Sequence, residues 1–244
     1  MARILITGST DGLGRATAEA LLAAGHHVIV HARNPDRAAA VSALTARGGD
    51  LLIADLSDRP AVLSAADELN AGLPIDAVIH NAGVISGASV LPVNVVAPYL
   101  FTALLRTPTR HIYLSSGMHR GGSTNLRGLD WAGGRATAGY SDSKLFVTAL
   151  SAAIARRWAP DILANAVDPG WVPTKMGGAG APDDFDLGHQ TQERLATDPQ
   201  LQVSGGYWHH GARQKPNRSV DDPDFQDRLL TALADATVVT LPSR

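Results

Sequence analysis

Tyr140 and Lys144 stand four residues apart in the run Tyr140-Ser141-Asp142-Ser143-Lys144. On a helix that spacing puts a phenol and an amine one turn apart on one face. The chain holds four Tyr and three Lys among 244 residues, so chance placement would give about 0.05 such pairs. A free tyrosine titrates near ~10, and an ammonium a few ångströms away favours the phenolate. Lowering the phenol toward neutrality asks for roughly 4 kcal/mol, which a charge and a hydrogen bond in a shielded cleft can supply. The pair therefore reads as a general acid/base. A helix-capping Tyr140 beside a solvated Lys144 is the competing reading, and the pair alone does not separate the two.

The elements that would position this pair follow from the chain before it. Arg3 to Thr7 is a short apolar strand that meets Gly8-Ser9-Thr10-Asp11-Gly12-Leu13-Gly14, after which Arg15 to Ala24 reads as an Ala-rich helix stopped by Gly25. In a strand–loop–helix context Gly8 permits the tight turn, Gly12 lets backbone N–H groups approach a pyrophosphate, and Gly14 lets helix and strand pack closely. The spacing is G-x3-G-x-G, and an ordinary turn stays open as the alternative. Val28 to His31 is a second strand, and Asn34-Pro35 opens a helix running to about Arg47, stopped by Gly48. Sites that select a free ribose put a carboxylate at the end of this strand, whereas an arginine accommodates a 2′-phosphate. Here the residues are His31-Ala32-Arg33. Unless Arg33 is simply a surface residue, it points to NADP(H), with NAD(H) the second choice.

Further strands end in Asp55-Leu56, in Asn81-Ala82-Gly83, in Ser115-Ser116 and in Asp168-Pro169-Gly170. Helices are expected over about 58–70, over Val93 to Leu105 with Asn94 in the first turn, and from Tyr140 to about Trp158. The alternation implies an α/β fold, a parallel sheet covered on both faces, with its ligand crevice at the carboxyl ends of the strands. The stretch 171–206 is rich in Gly, Pro, Asp and Gln and suits a mobile segment over a cleft. Tyr207 to His209 adds a last short strand and Phe225 to Ala234 a closing helix; there is no repeat or second core, so 1–244 reads as a single domain.

Composition narrows the partners. A net charge of -2 without acidic or basic blocks points to no nucleic acid and no membrane surface. The absence of Cys excludes disulfides, thiol catalysis and Cys-ligated zinc, and fits a cytoplasmic protein. No apolar stretch reaches the length of a membrane span, and no signal peptide is expected. His209-His210 tempts a metal reading, but neighbours in a strand point to opposite faces, and no carboxylate joins them at zinc spacing. No metal site is expected.

Taken together, Thr7-Gly8-x3-Gly12-x-Gly14, Asp55-Leu56, Asn81-Ala82-Gly83, Asn94, Ser116, Tyr140-x3-Lys144 and Pro169-Gly170 resemble the short-chain dehydrogenase/reductase superfamily, in its order and over most of the chain. The Ser115-Ser116-Gly117-Met118-His119 run and the long gap to Tyr140 look most like its retinol-dehydrogenase-like carbonyl reductases. The resemblance implies a doubly wound Rossmann domain with about seven strands. It implies that Tyr140 is the proton donor to a carbonyl oxygen, that Lys144 lowers its pKa and holds the nicotinamide ribose, and that Ser116 binds the substrate oxygen. Asn94 would support Lys144 through a water. Ser115 competes for the serine role. Around the cofactor it implies the glycine loop with Thr10 and Leu13, Asp55 and Leu56 at the adenine, Asn81 and Gly83 along the backbone, and Pro169, Gly170 and Thr174 at the carboxamide. Asp55 could instead cap the next helix, and Pro169-Gly170 could simply turn the chain.

Two departures from the family stand out: Asn81 to Asn94 is short, which suggests a trimmed or disordered loop and helix start, and Asp11 occupies a place where some NADP-preferring members carry a basic residue. The function expected is an NADPH-dependent reduction of a ketone or aldehyde on an apolar small molecule, or its reverse, in a possible homodimer or homotetramer. A nucleotide sensor is the second reading, though sensors commonly lose the Tyr or the Lys. A sugar-nucleotide epimerase is the third, though it usually has closer glycine spacing and a longer C-terminal half.

Overall fold

The computed structural model describes residues 1–243. Its strands are β1 (Arg3–Ile6), β2 (His27–Ala32), β3 (Asp50–Ile53), β4 (Ala77–His80), β5 (Arg110–Leu114), β6 (Leu163–Asp168), β7 (Tyr207–His209) and β8 (Ala212–Gln214). They form one sheet in the order β3-β2-β1-β4-β5-β6-β7-β8, parallel as far as β7, with β8 turning back antiparallel. β8 is one strand more than the sequence pattern suggests, because Ala212, Arg213 and Gln214 are exposed and carry no apolar signal. The order reverses between β1 and β4, the topological switch at which ligands bind in such sheets.

The central strands are buried almost end to end, as expected when helices cover both faces. On one face Ile4, Ile6, Val28, Val30, Leu114 and Val167 pack with α1 (Gly12–Ala23) and α7 (Phe185–Thr197). On the other, Leu5, Ile29, Val78, Tyr113 and Ala164 pack with α4 (Arg59–Ala71), α5 (Ala97–Leu104), α6 (Tyr140–Trp158) and α8 (Pro223–Thr237).

Three elements differ from the sequence reading. The helix expected from Pro35 to Arg47 is broken into α2 (Pro35–Ala38), a 3-10 turn and α3 (Ser42–Thr45). Asn34 caps it as expected, its Oδ1 taking Arg37 N–H at 2.9 Å. Val41 then leaves helical backbone at φ −108° and ψ 8°, and it and Leu44 are buried in the core. Within 171–206, Phe185–Thr197 forms the thirteen-residue α7, packed on α1 through buried Gly188, Thr191, Gln192, Leu195 and Ala196. Only two of those five are apolar with a side chain, which hid the helix. Asn81 to Asn94 is a compact loop entering α5 through a π-helical turn at Pro92–Val96. Pro98 has no N–H to give the Asn94 carbonyl, and Ala97 N–H bonds Pro92 O five residues back.

Candidate active site

The glycine turn is assembled by close contacts. Gly8 sits at φ +67°, where an added Cβ would lie 2.8 Å from Ala82 Cα, and a Cβ on Gly14 would lie 2.3 Å from Asn81 Nδ2. Asn81 Nδ2 donates to Thr7 O at 2.8 Å and Gly8 O at 3.0 Å, and Ala82 N donates to Thr7 Oγ1. The loop is also held by two residues the sequence reading passed over. Ser9 Oγ accepts from His31 N at 2.7 Å, and His31 Nδ1 accepts from Gly8 N at 2.9 Å. With Nδ1 an acceptor, His31 Nε2 carries the proton given to Ala54 O, and burial holds the ring below its usual pKa.

This loop forms one end of a cavity of about 600 Å³ that continues along Arg33, Asp55, Leu56, Asn81 and Gly83 to Tyr140, Lys144, Pro169 and Thr174. Thr10, Gly12 and Leu13 line it as well. Gly170, Ser116 and Asn94 lie outside that wall, whereas Ser115 is part of it. Gly170, at φ +81°, is crowded by Asp183 and His210. Asp55 Oδ1 accepts from Ser57 N and Ser57 Oγ, so the carboxylate organises its own turn while lining the cavity.

Arg33 has company. Arg37 Nη2 donates to Thr10 Oγ1 at 2.9 Å and to Asp11 Oδ2 at 3.2 Å, and Lys175 Nζ lies 2.7 Å from the same oxygen. The hydrogen bond from Lys175 is the first cause holding the Asp11 carboxyl below its ordinary pKa. Two cations thus flank Asp11, while Arg33 lines the same cavity and its charge acts on Asp55. Asp11, which as a sequence feature argued against 2′-phosphate selection, here gathers positive charge. Arg37 and Lys175 were missed because one lies in the broken helix and the other 164 positions beyond Asp11.

At the other end Tyr140 opens α6, whose first turn is fixed by Asp142: one carboxylate oxygen takes Gly139 N–H at 2.9 Å and the other Ser123 N–H at 2.8 Å. The Ser116 side chain bears on the Tyr140 phenol and opposes the rise in its pKa, whereas the Ser115 hydroxyl is bonded to Thr148 Oγ1 at 2.6 Å. Lys144 Nζ donates to Leu114 O at 2.7 Å and stands 5.4 Å from the centre of the Tyr140 ring. Gly83 fits between Lys144 Nζ and Asn94 Oδ1, and Asn94 is clamped by Val84 N, Val84 O and Ser143 Oγ.

The electrostatics correct one expectation. Tyr140 is raised above its ordinary pKa, by burial first and by the Asp168 charge, with the Ser116 hydrogen bond opposing. Lys144 was expected to lower it, but burial instead pulls Lys144 down to about 8, against the attraction of Asp168. His209 and His210 also depart from expectation. His210 lies in the β7–β8 turn at φ +46°, and the two rings stack 3.9 Å apart instead of pointing to opposite faces.

Comparison with known proteins decides the family. The chain is 39% identical to the short-chain dehydrogenase chry4 of Gibberella zeae, over the full length of both. This protein belongs to the short-chain dehydrogenase family. It is 35% identical to the short-chain dehydrogenase chyC of Penicillium rubens, again over the whole of both chains, and residues 2–103 match the family model for short chain dehydrogenase. Among solved structures, an uncharacterized protein from Mycobacterium paratuberculosis superposes with a TM-score of 0.79 over 99% of this chain and 95% of that one, at 24% identity. A short chain dehydrogenase from Shigella flexneri crystallised with NADP gives 0.70 over 86% and 97%, at 22% identity. The chain is therefore an NAD(P)-dependent oxidoreductase of this family.

Proposed function

We propose that this short-chain dehydrogenase uses NADP(H) to reduce a ketone or aldehyde on an apolar small molecule, or to oxidise the matching alcohol. The observation that carries the reading is that Tyr140, backed by Lys144, shares one cavity with the glycine turn and with Arg33, Arg37 and Lys175. The close-packed glycine turn at the N-terminus of α1 suits a pyrophosphate, and the three cations suit a 2′-phosphate. The relative crystallised with NADP supports the same choice.

Bound there, the reduced nicotinamide would supply the hydride. Tyr140 gives its proton to the carbonyl oxygen, and burial keeps the phenol in the protonated form that this step uses. Ser116 donates to the same oxygen and stabilises the charge that develops on it. Lys144, titrating at about 8, is poised to exchange protons with the phenol side. Asn94 holds the Gly83–Val84 backbone against Lys144. Exposed Met176 lines the cavity, and exposed Ile85, Met118 and Trp171 sit on the loops after β4, β5 and β6. Among the described residues no helix is long and apolar enough to cross a membrane, and a cytoplasmic site of action agrees with the lack of Cys.

Tyr140→Phe is the test. Consumption of NADPH against a panel of apolar ketones and aldehydes should fall at least about 100-fold, while NADPH affinity stays within about twofold. Turnover that survives the substitution removes Tyr140 from the chemistry, and a wild type that binds NADPH without reducing any carbonyl favours the sensor reading.

A further inference from the structure

The mechanism leaves one charged group beside the Tyr140 site unused. β6 ends in Asp168, which is 9% exposed and shares its face of the sheet with Ala164 and Ala166. Its Oδ1 accepts from Gly170 N at 3.0 Å and its Oδ2 from Tyr207 Oη at 2.9 Å. A carboxylate offers about four lone-pair sites, so each oxygen keeps acceptor capacity after these bonds. The His209 ring flanks it, with Nδ1 3.7 Å from Oδ2. About 12% of the side chain stays open, and Gly117 lies against it: a Cβ there would be 3.3 Å from Oδ2. Gly117 follows Ser116 directly, so the carboxylate borders the place where the reacting carbonyl oxygen would lie. Its charge is felt at Tyr140, Lys144 and His119.

We propose that Asp168 is a specificity-determining residue, accepting a hydrogen bond from a hydroxyl group that the substrate carries beside its carbonyl. The inference rests on the reading of this cleft as a carbonyl site. Burying a carboxylate is costly unless its hydrogen bonds are made. An apolar carbonyl compound without a donor would cover lone pairs that then lose water and gain nothing. A substrate hydroxyl replaces that water. Sites built to bond a hydroxyl discriminate strongly against analogues that lack it.

The test compares acetophenone with 2-hydroxyacetophenone, titrated calorimetrically into the full chain with and without NADP⁺, where no ketone can be reduced. The hydroxylated ketone should bind about tenfold more tightly, as expected of a hydrogen bond to a charged acceptor. Asp168→Asn, which removes the charge, should cut that preference to less than about threefold. Gly117→Ala, which leaves the carboxylate in place but covers it, should do the same, so the proposal does not hang on one variant's folding. Equal affinity in the wild type, no measurable binding of either ketone, or a preference that survives both substitutions overturns it. NADPH turnover is followed separately: a tenfold binding preference with no reduction of either ketone would reject the proposed function and leave the assignment of Asp168 standing.

Discussion

Three side chains carry predictions at the residue scale. Arg33 and Arg37 both line the mouth of the cavity, and a charge-assisted bond to phosphate contributes about 1.5–3 kcal/mol. Arg33→Ala and Arg37→Ala should each weaken NADPH binding by about tenfold or more while changing NADH affinity little. Equal losses for both cofactors, measured by fluorescence titration, would remove the 2′-phosphate assignment. Lys144 is a buried ammonium, 4% exposed, pulled from 10.5 to about 8. Below pH 8 it is charged in folded and unfolded chains alike and its burial destabilises the fold. Between about 8 and 10.5 the unfolded chain binds the extra proton, so this group's contribution to stability rises with pH. Lys144→Met in the cofactor-free protein should therefore be at least as stable as the wild type at pH 7, by roughly 1–3 kcal/mol, and inactive. The gap should narrow as pH rises through 8, and urea unfolding at pH 7 and 9.5 checks the sign.

At the scale of elements, the site depends on how closely α1 approaches β1 and β4. Gly14 is buried at the start of α1, where a Cβ would lie 2.3 Å from Asn81 Nδ2 and 2.4 Å from Gly8 O. Those atoms are locked in the loop by Asn81's own hydrogen bonds, so neither can yield cheaply. Gly14→Ala should cost about 1–3 kcal/mol of stability and weaken dinucleotide binding, since relief requires the turn to open. A variant with unchanged melting temperature and NADPH affinity would show that the packing is looser than these distances imply. The π turn before α5 belongs to the same scale. It is local and imposed by Pro98, yet it sets where Asn94 meets Val84 and Ser143.

Across the whole molecule, α8 lies along α6 and closes its outer face. Phe225, Leu229 and Leu233 are fully buried, Phe146 stacks near Phe225 at 6.2 Å, and Arg156 and Arg157 both reach Asp227. Phe225→Ala should destabilise the fold by about 3–5 kcal/mol and, because α6 carries Tyr140, reduce turnover as the melting temperature falls. Because this face is already covered, the homodimer or homotetramer pairing raised by family resemblance would have to use another surface.

What the sequence determined by itself was whatever is encoded locally. Buried strands have continuous apolar runs, turns have glycine, and Tyr140 and Lys144 share a helix, so the parallel α/β fold and the two ends of the cleft were legible from short windows. Hidden from such windows were α7, whose buried face is made largely of Gly, Thr and Gln, and β8, whose residues are all exposed. Only the tertiary structure brought Arg37 and Lys175 to Asp11, seated Asp168 behind Gly117, and set the sign of the Tyr140 shift. The reason is physical: burial and charge are sums over neighbours distant in sequence. A phenol beside an amine in the chain can still be governed by the water it has lost and by a carboxylate 28 positions away.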